Sequence, residues 1–164
     1  MKISAQIFPR PVALITTISK DGSPNVATFS FIMPISFEPK FVALAVGENR
    51  FTLTNLETTK EFGLNILKRE QVRLAQICGS YSGKDIDKFK LAGLSVEKAK
   101  EIRPPLIKEA PISLECKVEF TQKFGDHYLV VGKVVREIIR EEKFDPLLHY
   151  TGDSFFTWRS LISP

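Results

Sequence analysis

Apolar and polar residues alternate without a break from Ile112 to Thr121. Ile112, Leu114, Cys116, Val118 and Phe120 fall on one side, and Ser113, Glu115, Lys117, Glu119 and Thr121 on the other. This period of two predicts a half-buried strand. Phe124-Gly-Asp-His127 predicts a turn, and Tyr128 to Ile139 a returning partner strand. That partner is apolar on both faces near Leu129 to Val131, so it needs cover on both sides, from the barrel or from a second subunit. Upstream, Val12 to Ile18 reads as a strand closed by the turn Lys20-Asp-Gly-Ser-Pro24. The next strand, Asn25 to Ile32, places Ala27, Phe29, Phe31 and Met33 toward a core and Thr28 and Ser30 on a polar face. Pro34 and Pro39 bracket a bend, and Phe41 to Val46 and Phe62 to Leu67 give two further strands.

Helical spacing is confined to short pieces. Thr52 to Lys60 predicts a helix with Thr52 or Thr54 as N-cap, Glu57 standing at the capping-box position after Thr54. Glu70 to Cys78 predicts an amphipathic helix stopped by Gly79. Gly79-Ser-Tyr-Ser-Gly83 is a flexible loop before Asp87-Lys-Phe-Lys-Leu-Ala-Gly93. Strands dominate without βαβ alternation, which predicts a mainly β protein: an antiparallel barrel decorated by a few helices. No repeat or linker divides the chain, so one domain is expected over residues 1–164.

Composition narrows the classes. Apolar content of 43% and charged content of 26% match an ordinary globular domain. No apolar run approaches the ~20 residues of a membrane span, and the N-terminus lacks a basic stretch followed by an apolar one, so a cytoplasmic protein with no membrane partner is expected. Cys78 and Cys116 lack C-x-x-C spacing, and His127 and His149 lie far apart, so no metal site is expected. The net charge of +4 is scattered, with Glu among the basic residues at Lys98 to Glu101 and Glu137 to Lys143. It suits a small phosphorylated ligand better than nucleic acid. A nucleic-acid-binding barrel would interleave aromatic and basic residues on one sheet face. Here Phe29 and Phe31 sit opposite the polar face without basic partners. The sequences G-x-x-x-x-G-K-[ST], G-x-G-x-x-G and G-x-S-x-G are absent, which removes support for P-loop, Rossmann and serine-hydrolase chemistry.

What remains is a strand with small hydroxyls and a helix start behind an arginine. Arg50, with Thr52 and Thr54, can bind a phosphate where unpaired backbone N–H groups begin a helix, or it can be a solvated arginine beside a capped surface helix. Thr28 and Ser30 can hydrogen-bond the edge of a flat ring, or face water on an edge strand. Lys88, after the Gly/Ser loop, can reach a phosphate. His127 can orient a nicotinamide or move a proton near neutrality, or be a plain turn histidine, with Asp126 as orienting partner or turn residue. Flat ring plus phosphate tail points to a flavin.

Several segments, in order, carry a family likeness. They include Pro9-Arg-Pro-Val-Ala-Leu-Ile-Thr-Thr17, Asn25-Val-Ala-Thr-Phe-Ser-Phe31, Pro34-Ile-Ser-Phe-Glu-Pro39, Thr52-Leu-Thr-Asn-Leu56, Glu61-Phe-Gly-Leu-Asn-Ile66 and Gly125-Asp-His127. Together they resemble the flavin reductase-like, FMN-binding split-barrel family, and within it the flavoredoxin branch. The resemblance implies a Greek-key split barrel, forming a homodimer with FMN near the interface. It places the strand bearing Asn25, Ala27, Thr28, Phe29, Ser30 and Phe31 along the flavin, and the phosphate at Arg50 and Thr52. His127 falls near flavin and nicotinamide, in the catalytic position. The implied activity is FMN-dependent oxidoreduction, with NAD(P)H as donor and free flavin, ferric complexes or a partner protein as acceptor. The alternative is a flavin-binding electron carrier without NAD(P)H activity.

Overall fold

The apolar run after Val12 becomes a strand in which every residue from Ala13 to Ile18 is buried. The computed structural model describes residues 1–157; residues 158–164, the end of the domain expected over 1–164, lie outside the described residues. Along the chain come β1 (Arg10–Pro11), β2 (Ala13–Ile18), β3 (Pro24–Phe29), β4 (Ile32–Phe37) and β5 (Lys40–Gly47). Helix α1 (Phe51–Thr59), β6 (Glu61–Ile66), α2 (Val72–Ser80) and α3 (Lys88–Ala92) follow. The remainder is β7 (Val96–Glu97), β8 (Leu106–Ile107), β9 (Ile112–Phe124), β10 (His127–Ile139), β11 (Leu148–Thr151) and β12 (Ser154–Phe156). Among the described residues no helix is long and apolar enough to cross a membrane.

Seven strands form one antiparallel sheet in the order β3-β2-β6-β9-β10-β5-β4. Laid flat at ~4.8 Å per strand, its edges would stand roughly 29 Å apart. Yet those edges, β3 and β4, are joined only by Ser30 and Phe31, a step of about 11 Å at most. The sheet must therefore roll until its edges meet, and among the described residues no ladder joins β3 to β4. The result is a split barrel, as expected. Its interior holds Ala13, Ile15, Val42, Leu44, Val46, Phe62, Leu64, Cys116 and Val130, plugged by Leu53 and Leu56 of α1. Helix α2 covers the outside of β2 and β3, packing Ala75 and Cys78 against Leu14 and Val26.

The seam corrects the expected strand Asn25 to Ile32. The chain leaves one sheet edge at Phe29 and enters the other at Ile32, so the alternation of Phe29, Phe31 and Met33 runs across two strands. Phe29 packs on the barrel interior, while Met33 is 55% exposed. The bend expected from Pro34 shrinks to Glu38-Pro39, because Phe37 pairs with Lys40. Pro34 is tolerated inside β4 because that strand is an edge.

The long hairpin forms as expected. Phe124 pairs with His127 around Gly125-Asp126, and Gly125 has φ of +60°. A positive φ at the first central position alone is the mark of a type II′ turn. The polar side of β9 differs from expectation: Ser113 and Glu115 are fully buried. Ser113 donates to Asn65 Oδ1 at 2.8 Å. Glu115 accepts from the backbone N–H of Glu101 at 2.6 Å and from Arg136 at 2.8 Å. Phe120 instead is 49% exposed. Cover for the apolar part of β10 is one-sided, since Val130 is inside the barrel while Leu129 and Val131 are half-buried outside it.

The helices also shift. Arg50, not a threonine, is the N-cap of α1, with no side-chain capping bond, because Thr52 is drawn into a buried contact with Asn25. Gly79 lies within α2, which continues to Ser80, its N-terminal side preceded by a short 3-10 turn at Arg69–Gln71.

Candidate functional site

At the seam between the barrel edges lies a cleft of about 430 Å³, within the range of small-molecule sites. One wall is β3 with the Ser30-Phe31 crossing; β5 contributes Ala45 and Gly47, and the start of α1 closes one end. The opposite wall is the end of α2 and the loop that follows it, Cys78 to Gly83. Asn25, Ala27, Thr28, Phe29, Ser30, Phe31, Arg50, Thr52, Lys88 and His127 all border this one cavity. Their convergence follows from the roll of the sheet, which brings residues separated by a hundred positions to one gap.

One end of the cleft is positively charged, bordered by Lys88 and Arg50. Lys88 is 4% exposed, and its Nζ donates only to the Cys78 carbonyl oxygen at 3.2 Å. Among the described residues no carboxylate pairs with it. Burial pulls the Lys88 ammonium below its ordinary value; the neighbouring Cys78 thiol opposes this and Arg50 adds to it. Burial likewise pushes the Cys78 thiol up to about 11, which Lys88 only partly offsets. Arg50 stands at the N-terminus of α1, where backbone N–H groups lack partners and the helix dipole is positive. Two cations therefore border the same cleft close enough to feel each other, and among the described residues no carboxylate pairs with either. Thr52 Oγ1 accepts from Asn25 Nδ2 at 3.3 Å, which leaves its own hydroxyl proton free to donate. Among the described residues Asn25 Oδ1 is also buried without a partner, but as an acceptor it calls for a donor and adds nothing to the binding of an anion. A buried positive charge without a carboxylate partner is unfavourable, and an anion at this end of the cleft would offset it.

The other end is flat and aromatic. The Phe31 ring lies between the His127 imidazole, with centroids 5.6 Å apart and planes at 29°, and the Arg10 guanidinium, 5.5 Å from its centroid. His127 Nδ1 is 2.8 Å from Asp126 Oδ1, a bond that holds the Asp126 carboxyl below the usual range. That bond fixes the imidazole with its other nitrogen free. Ser30 Oγ is 2.9 Å from His149 Nδ1, and His149 Nε2 is 2.9 Å from the Gly152 carbonyl oxygen. Thr28 is not a free hydroxyl, since it donates to the Ala75 carbonyl oxygen at 2.7 Å and so ties β3 to α2.

Residues 5–159 match the family profile of the flavin reductase like domain. The chain belongs to the flavin reductase-like family. A flavin reductase of Pseudomonas putida is 28% identical over 145 residues, 88% of this chain and 81% of its own length. The NADH-dependent FMN reductase AsuE2 of Streptomyces nodosus subsp. asukaensis is 26% identical over 149 residues, 89% of this chain and 77% of its own length. The crystal structure of flavoredoxin from Methanosarcina acetivorans superposes with a TM-score of 0.87 at 25% identity, covering 100% of this chain and 94% of that one. The cleft of this flavin reductase-like protein also contains residues that sequence reasoning did not single out. Asn49, Phe51 and the stretch Ser80 to Gly83 line it, and Arg10 and His149 brace it from behind. The Gly/Ser content of 79–83 marked a loop, but nothing in the spacing showed that α2 would carry it over β3.

Proposed function

We propose that this protein is an FMN-dependent oxidoreductase, its single domain over 1–164 carrying one flavin per chain in the seam cleft. The observation that carries the reading is Lys88: a buried ammonium without a counter-charge, opposite Arg50 and a helix N-terminus, in a member of a flavin-binding family. Arg50, Lys88, Thr52 and the first N–H groups of α1 hold the phosphate. Ala27 and Phe29 to Phe31 flank the ring, with Asn25 farther along the same strand beside Thr52 at the phosphate end. Bound there, the flavin supplies the two-electron redox chemistry that no side chain of this cleft can provide. His127, braced by Asp126, lies at the mouth of the cleft, where it positions the nicotinamide of NAD(P)H and can hold or release a proton. Similarity to the NADH-dependent FMN reductase supports a nicotinamide donor; the flavoredoxin likeness supports the second reading, an electron carrier reduced by another protein.

A homodimer fits the outer face of the sheet. Phe120, Val131, Ala43 and Met33 stand in register across β9, β10, β5 and β4, and Phe120 and Met33 are half exposed. Beside them lies an apolar hollow of about 450 Å³ that includes Leu129 and Ile32. A second copy covers this face in the proposed assembly, and the site is cytoplasmic. Two measurements test the reading. Equilibrium dialysis of the purified protein against FMN is expected to give one flavin per chain with micromolar affinity or better. Anaerobic addition of NADH or NADPH to the loaded protein then bleaches the flavin. Bleaching by dithionite alone selects the carrier; no uptake of flavin overturns both readings. Sedimentation equilibrium at twice the chain mass is the expected result for the assembly.

A further inference from the structure

The cleft stops at its anion end against a thin partition. Gly83 borders the cleft and also two outer hollows of about 320 and 570 Å³, whereas Lys84 borders the outer two alone. Gly83 lies close against Asn25, and Lys84 against Phe51. A Cβ at Gly83 would stand 1.9 Å from Asn25 Oδ1 and 3.0 Å from Asn25 Cγ, far inside contact distance. The backbone of Gly83 is outside the left-handed region, so the glycine serves close approach rather than a turn. On the outer side, Lys84 Nζ lies 5.6 Å from the centroid of the Phe51 ring, the first residue of α1. Behind the partition, Asn25 is fixed by buried bonds to Thr17 and Thr52, and Asn55 donates to the same Thr17 hydroxyl at 3.0 Å. The wall therefore rests on a buried polar network.

We propose that this partition makes Gly83 the residue that selects among flavin nucleotides, admitting a flavin that ends in one phosphate and turning away the adenine dinucleotide form. The proposal rests on the flavin reading above. The chemistry favours it in two ways. A phosphate monoester carries close to two charges at neutral pH and offers three terminal oxygens, which match Arg50, Lys88 and the α1 N–H groups. A phosphate inside a dinucleotide has fewer free oxygens, and a second phosphate and adenosine extending beyond the anion end would meet Gly83 and Lys84, which stand between the cleft and the outer hollows.

The test is a titration of riboflavin, FMN and FAD into wild type, Gly83→Ala and Lys84→Ala, read by flavin fluorescence and calorimetry, with circular dichroism and thermal midpoints to confirm folding. Wild type is expected to bind FMN about 30-fold more tightly than FAD, the loss of one charge-assisted contact plus the displaced partition. Gly83→Ala pushes the loop off Asn25, weakening FMN and bringing the ratio below about 5-fold. Lys84→Ala loosens the partition without added bulk and narrows the ratio by strengthening FAD, so the proposal stays testable if the alanine at 83 disturbs the loop. Equal wild-type affinities for FMN and FAD, with riboflavin weaker, overturn the partition and leave the phosphate site standing. An FMN/FAD ratio unchanged in both variants overturns the role of Gly83. Failure of all three flavins to bind overturns this inference together with the flavin reading.

Discussion

Replacing Lys88 by methionine separates a phosphate ligand from a structural lysine. The side chain keeps its length, and α3 keeps its Asp87 N-cap, whose carboxylate accepts from the Lys90 N–H at 3.2 Å. The local loss is then one hydrogen bond, from Nζ to the Cys78 carbonyl near the end of α2. Such a bond contributes about 1 kcal/mol. Against that loss stands relief from burying a charge that has no counter-ion. The sign follows from the downward displacement of the ammonium: the burden is complete below its folded value and fades as pH rises toward the ordinary lysine value of about 10.4. The two effects oppose each other, so the unliganded variant unfolds within about 1 kcal/mol of wild type near neutrality. Ligand binding behaves differently. A charge-assisted bond to phosphate is worth about 1.5–3 kcal/mol, so the FMN dissociation constant rises roughly 10- to 150-fold. Riboflavin, which has no phosphate, loses nothing. Urea unfolding of the flavin-free protein and titrations with both flavins give all three quantities. An FMN dissociation constant within twofold of wild type, with stability reduced, would show that Lys88 serves only the α2 terminus.

Three further substitutions probe the other parts of the site and its frame. Thr28→Val removes the bond to the Ala75 carbonyl oxygen and is expected to cost about 1 kcal/mol in urea unfolding while leaving FMN affinity near wild type, since that hydroxyl is already used. Glu115→Gln weakens a buried carboxylate held by Lys100, Glu101 and Arg136, costing about 3 kcal/mol at neutral pH. Burial alone would raise the Glu115 carboxyl, but these donors outweigh it and hold it below the ordinary value. Its contribution is therefore complete above about pH 4.3 and is lost as pH falls through the lower folded value, so the gap between variant and wild type closes in acid. A gap that stays constant down to pH 3, an acidity of about one unit below the ordinary carboxylate value, refutes the assignment. His127→Gln keeps FMN uptake and slows anaerobic reduction by NADH on the order of 10²-fold, measured by stopped-flow absorbance; an unchanged rate removes His127 from the nicotinamide side.

The parts of this molecule that were legible in its sequence are those governed by neighbours along the chain. β9 announced itself by a period of two, β10 as the apolar run returning from its turn, and Gly125 sat where that turn needed a positive φ. The break at Ser30-Phe31 left no such mark. Side chains alternate in the same sense through Phe29, Phe31 and Met33, although the first belongs to the edge beside β2 and the last to the edge beside β5. Which edge a residue joins is decided by the rolling of the sheet, a property of pairing order rather than of local pattern. The misplaced helix cap has a related cause: Thr52 has the residue type of an N-cap, but a tertiary bond to Asn25 takes its hydroxyl. The buried polar face of β9 follows the same logic, because Glu115 is polar in sequence and is satisfied by a loop folding over it. The lining of the cleft was legible as a set of residue types, the small hydroxyls of one strand with Arg50, Lys88 and His127. Its geometry was not, because the charge that defines it is a lysine 38 positions beyond Arg50, carried to the cleft by α2 and α3. A cation in that place gains one hydrogen bond, to the Cys78 carbonyl oxygen, and no described carboxylate offsets its burial. An anionic ligand would supply the countercharge that no described carboxylate provides, and the Lys88→Met titration decides whether it does.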